Sequence, residues 1–110
     1  MPSTVEFEIA LRQIARPSDR VLKMLKVHAA AKNRTSIARR LAEAAGYADF
    51  RGFNSGYGIL AKRLGAAMGK RDARIGLIVE FARPGELKNK EWLVFMREEF
   101  AAALKRSKWI

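Results

Sequence analysis

From Phe7 to Met68 apolar residues recur every three or four positions, and after Gly69 that period gives way to short runs of branched and aromatic residues. A chain patterned this way places helices first and strands after them. Phe7, Leu11 and Ile14, with Ile9 and Ala10 beside them, predict a helix over 6–16 that Pro17 stops. Ser18 then suits an N-cap, with Asp19 in the first turn where a carboxylate favours the helix dipole. The second helix runs to about Ala31, with Val21, Leu22, Leu25, His28 and Ala29 on one stripe and Arg20, Lys23 and Lys26 off it. Lys32-Asn33-Arg34 is a polar break, and Thr35 reads as the cap of a third helix. That helix turns Ile37, Ala38, Leu41, Ala42 and Ala45 inward and Arg39, Arg40 and Glu43 outward, and Gly46 suits the left-handed position at its end. A fourth helix carries Tyr57, Leu60, Ala61, Leu64 and Met68, capped early by Asp49 or late by Asn54. Gly56, Gly58 and Gly65 each weaken it by up to about 1 kcal/mol relative to alanine.

Beyond Gly69, Ile75–Phe81 reads as a strand, 83–90 as a turn around Pro84-Gly85 and Asn89, and Glu91–Met96 as a second strand. A last helix over Glu98–Arg106 faces Phe100 and Leu104 inward, with Trp109 packing at its end. The expected architecture is a single α+β domain over residues 1–110. It is a small winged helix-turn-helix-like unit with about four N-terminal helices, a β-hairpin and a C-terminal helix.

Cysteine is absent, which excludes disulfides, thiolate zinc sites and cysteine nucleophiles. No apolar run approaches the roughly 20 residues of a bilayer span. The N-terminal residues lack the basic-then-apolar order of a signal peptide, so a cytoplasmic location is expected. Of the 22 Lys and Arg, 14 fall between Arg16 and Arg74 against four of the 11 Asp and Glu, so nearly all of the +11 net charge sits on the middle of the chain. Concentrated positive charge attracts polyanions and speeds encounter with them.

Three stretches together resemble a known bacterial domain. They are Leu41-Ala42-Glu43-Ala44-Ala45-Gly46-Tyr47, then Asn54-x-x-Tyr57-Gly58-x-Leu60-Ala61, then Lys90-Glu91-Trp92-Leu93 through Met96-Arg97-x-Glu99 to Ala102-x-Leu104. From about Val21 to Ile110 the chain is similar to the accessory domain that often precedes an HNH endonuclease module. The resemblance implies a binding module of restriction-like or phage-related systems that helps deliver a nuclease to DNA, and it leaves open which nucleic acid this chain binds. It departs from a complete nuclease because the single histidine, His28, leaves no His-Asn-His constellation.

In a helix-turn-helix the second helix enters the major groove through its N-terminal residues. Here those are Arg51, Asn54, Ser55 and Gly58, with Lys62 and Arg63 further along. An Asn amide both donates to and accepts from adenine, although Asn54 reads equally well as a cap or a buried amide tied to Tyr57. Lys32, Arg34, Arg39, Arg40, Lys70, Arg71 and Arg74 suit phosphates, Arg39 and Arg40 reading alternatively as a solvated helix face. Arg83, Lys88 and Lys90 belong to the tip of the hairpin, which either touches DNA backbone as a wing or keeps the sheet solvated.

Catalysis finds no foothold. His28 sits on an apolar stripe, no ligand spacing for a metal occurs, and Glu86-Leu87-Lys88 lies in a turn without a preceding aspartate. Gly52-x-x-x-Gly56-x-Gly58 lacks the lysine and serine of a phosphate loop. No enzyme activity and no cofactor are expected. The competing class is a small adaptor or inhibitor, from a phage or mobile element, that binds a bacterial defence nuclease. Exposed aromatic area would favour that class; Phe50, Phe53, Trp92 and Trp109 are the candidates, and all four read equally as core.

Overall fold

Ser3 opens the first helix in a reciprocal cap: its hydroxyl accepts the Glu6 amide at 3.2 Å while Glu6 Oε1 accepts the Ser3 amide at 3.1 Å. In the computed structural model, which describes residues 1–83 and 91–110, this helix is α1, Thr4–Gln13. The cap starts it earlier than the apolar stripe implied. Ser18 caps α2, Asp19–Ala30, as expected. The polar break at Lys32–Arg34 is a 3-10 turn in which Asn33 and Arg34 hold φ of 54° and 51°. Asn tolerates that left-handed region better than most residues, and the turn reverses the chain.

The reversal delivers Thr35–Ile37 as a strand, β1, so Thr35 is not the cap of the next helix. That helix, α3, is Ala38–Ala44, and it begins without a side-chain cap. Gly46 closes it at φ 85°, in the left-handed region that favours glycine. Helix α4 is Arg51–Ala67, an early start, but neither Asp49 nor Asn54 is its cap: Phe50 holds that position without a side-chain bond, and Asp49, one residue before it, accepts the Arg51 amide on Oδ1 at 2.9 Å. Of the residues expected as a strand, Ile75–Leu77 form a 3-10 turn and β2 is Val79–Ala82. The Gly76 carbonyl accepts two bonds from the Arg97 guanidinium instead of joining a ladder. Strand β3 is Leu93–Met96 and helix α5 is Glu98–Arg106.

The three strands form an antiparallel sheet in the order β1-β3-β2, with Thr35 opposite Phe95 and Val79 opposite Met96. The fold is therefore α+β, five α-helices with a three-stranded antiparallel sheet among the described residues. Its core joins Phe7, Met24, Leu25, Leu41, Phe53, Tyr57, Leu60, Leu64 and Ile78 to Val94, Met96, Phe100 and Leu104. Helix α1 packs on α5 through an edge-to-face contact of Phe7 and Phe100, ring centres 5.3 Å apart. Trp109 is buried at the end of α5, beneath the Arg16 guanidinium. Helix α4 lies against α2 where Gly56 has no side chain, since a Cβ there would meet Val21 at 2.9 Å. No helix among the described residues is long and apolar enough to cross a membrane.

Candidate nucleic-acid interface

Helix α4 buries Phe53, Tyr57, Leu60, Ala61, Leu64 and Gly65, so its other side faces outward by the 3.6-residue period. That outward side carries Arg51, Asn54, Ser55, Ile59, Lys62 and Arg63, all exposed, with Gly58 half-buried among them. At its C-terminal end Lys62 lines a shallow cleft with Lys70, Arg71 and Asp72, so a cation of the expected groove helix meets two of those expected on phosphates. On one flank Ser55 and Arg63 border a groove with Ser18 and Tyr47. Asn54 and Arg39 both line another, larger cleft. Asn54 is neither buried nor bonded to Tyr57, and its side-chain amide makes no hydrogen bond among the described residues.

Several of the cations are already engaged. Arg39 donates to Glu91 Oε1 and Oε2 at 2.8 and 3.4 Å and to Glu43 Oε1 at 3.3 Å, and these bonds raise its already high pKa. Arg51 grips Asp49 at 2.8 Å, which holds that carboxyl below its ordinary range. Both pairs are exposed, so each contributes little to stability and a phosphate can replace the carboxylate. Arg40 is exposed and makes no ion pair among the described residues.

Other predicted residues stand apart. Arg34 is half-buried and donates to the Met96 carbonyl at 3.2 Å, at the end of β3 away from Trp92. It shares its groove with Arg97, which pairs with Glu80, and with Glu98 and Glu99, so carboxylates outnumber cations there. Lys32 is exposed in the turn before it, and Arg74 is exposed ahead of the second 3-10 turn. Arg83 lies over the Trp92 ring, 5.5 Å from its centre. Lys88 and Lys90, and the Glu86–Lys88 pair, lie outside the described residues.

The larger cleft, of about 660 Å³, is the feature that sequence reasoning missed. Phe50, Phe81, Trp92 and Val94 line it together with Ala38, Arg39, Asn54 and Glu91. Of the four aromatics left open between core and surface, Phe53 and Trp109 are buried, whereas Phe50 and Trp92 are exposed. Phe81 belongs to the run expected as a strand, and its one signal as a surface ring is the two-residue step from Val79.

His28 is buried, as its apolar stripe predicts. Its Nε2 donates to the Val94 carbonyl, which can only accept, so Nδ1 accepts from the Tyr57 hydroxyl. Burial lowers its pKa, with the bond to Val94 working in the opposite direction. Among the described residues no three His, Asp or Glu side chains gather as metal ligands would. Comparisons with family models, curated proteins and solved structures find no match to this chain.

Proposed function

We propose that this protein is a non-catalytic nucleic-acid-binding module that takes duplex DNA on the outward face of α4, in the manner of a winged helix-turn-helix domain. The observation that carries the reading is one uncovered helix face bearing Arg51, Asn54, Ser55, Lys62 and Arg63 and continuing into Lys70 and Arg71. The element order supports it. A helix, a short strand, two helices and a hairpin follow one another, with the last strand between the other two. Such a unit presents its second helix to the major groove and its hairpin to the flanking backbone. Arg40, Lys62, Arg63, Lys70 and Arg71 hold phosphates, and Asn54 meets a base edge. The resemblance to the domain that precedes HNH modules supports a place in bacterial restriction or phage systems, without the nuclease itself.

Charge reversal at Lys62 and Arg63 tests this. Duplex binding in a gel-shift assay at about 0.1 M salt should disappear while the melting temperature stays at the parent value. A variant that binds like the parent removes α4 from the interface.

A second reading, an adaptor or inhibitor acting on a bacterial defence nuclease, is favoured by the exposed rings of Phe50, Phe81 and Trp92. Gel filtration with candidate nucleases separates the two, because a complex that survives high salt belongs to the adaptor and DNA binding does not.

A further inference from the structure

The core-facing side of the β2–β3 pair is buried at one end and exposed at the other. On β2 Val79 is buried, while Phe81, two residues on and therefore on the same face, is 43 % exposed. On β3 Val94 and Met96 are buried, while Trp92, two residues before Val94, is 48 % exposed. Phe81 pairs directly with Val94, and the exposed ring of Phe50, from the turn before α4, completes the cleft. Three separate segments thus bring flat aromatic faces to one concave site, where large side chains are ordinarily withdrawn from water.

The polar groups at this site are few and specific. The exposed Asn54 amide offers a donor and an acceptor side by side. The Arg39–Glu91 ion pair forms part of the lining, and the Arg83 guanidinium stands over Trp92. Aromatic platforms, an amide and neighbouring guanidinium groups are what a nucleobase on a phosphate chain requires. A paired base exposes only its edge in a groove, so stacking on Trp92 or Phe81 needs a base that has left the helix. A purely hydrocarbon group would leave the Asn54 amide unserved and gain nothing from the cations. We infer that this cleft holds one unpaired nucleobase, stacked on Trp92 and Phe81 and bonded at its edge by Asn54. The inference rests on the nucleic-acid reading above and adds the class of ligand that the cleft takes.

The test uses the full chain with three DNAs: a duplex bearing one unpaired adenine, the same duplex fully paired, and the same bulge with an abasic site. The unpaired adenine should bind about ten-fold tighter than either control. It should also quench Trp92, since Trp109, the second of the two tryptophans, is buried. Trp92→Ala and Phe81→Ala, which truncate exposed rings, should each remove the preference, with thermal melts confirming that they fold. Equal affinity for all three DNAs overturns the cleft assignment and leaves duplex binding standing. Failure to bind any of them overturns both. Trp92 emission that ignores all three yet responds to a nuclease captured in gel filtration assigns the cleft to a protein and overturns the inference.

Discussion

The Tyr57 hydroxyl stands 2.9 Å from Nδ1 of His28, and on the other side of the ring Nε2 stands 2.9 Å from the Val94 carbonyl oxygen. This chain of bonds crosses the core from α4 through α2 to the central strand, with Phe53 packed on Tyr57 at 4.5 Å between ring centres. It ties the proposed recognition helix to the sheet that carries the hairpin. Burial also raises the Tyr57 pKa well above its ordinary value, so the hydroxyl keeps the proton it donates.

Tyr57→Phe removes that donor and leaves a buried ring nitrogen unsatisfied. It should lower stability by about 1–3 kcal/mol in urea titrations. Tyr57→Ala adds a cavity and should cost about 3–5 kcal/mol. Parent-like unfolding of both variants would mean that the ring is not where the core places it.

His28 makes stability depend on pH. Its folded pKa lies below the ordinary 6.5, so between the two values the unfolded chain takes up a proton that the fold refuses. Stability is therefore unaffected above about pH 6.5 and falls as pH drops beneath it, by at most about 1.4 kcal/mol per pH unit. Because His28 is the single histidine, melts between about pH 7 and 5 isolate it from the carboxylates. A flat melting temperature across that range contradicts the buried neutral ring.

The glycines of α4 should respond in opposite directions. A Cβ at Gly58 meets nothing within 4 Å, so Gly58→Ala should stabilise by up to about 1 kcal/mol. A Cβ at Gly65 would meet the Ala73 Cβ at 2.2 Å, so Gly65→Ala should destabilise by about 1–3 kcal/mol. Denaturant midpoints of the two variants decide this, and two shifts of the same sign would contradict the packing.

Arg39 and Arg40, adjacent in sequence, should differ in DNA binding. Arg40→Ala should weaken binding equally for all sequences and make the salt slope shallower by about 0.9. Arg39→Ala should change the slope less, because Glu43 and Glu91 already offset part of its charge. Affinity titrations at several salt concentrations compare them, and an unchanged slope in Arg40→Ala removes that residue from the contact.

The helices were legible in the sequence because their burial is periodic, and Phe7, Leu11, Leu25, Leu41 and Leu64 all lie in the core. Strand β1 was not. Thr35-Ser36-Ile37 is too short to show alternation, and it becomes a strand by pairing with β3, some sixty residues on. The excess charge was legible as well, but not which cations are engaged, since Arg39 finds Glu91 fifty-two positions away. Phe81 and Trp92 look like core by type and alternation. They are 43 % and 48 % exposed, a boundary that only packing in three dimensions defines.

Fluorescence anisotropy of labelled duplex DNA across a salt series, beside single-stranded DNA and duplex RNA, tests the central claim most directly. If Arg40, Lys62, Arg63, Lys70 and Arg71 each neutralise a phosphate, duplex DNA binds with submicromolar affinity and log Kd rises with log salt at a slope of about 4.5. Weak binding that vanishes near physiological salt, with no preference for duplex DNA, would contradict it.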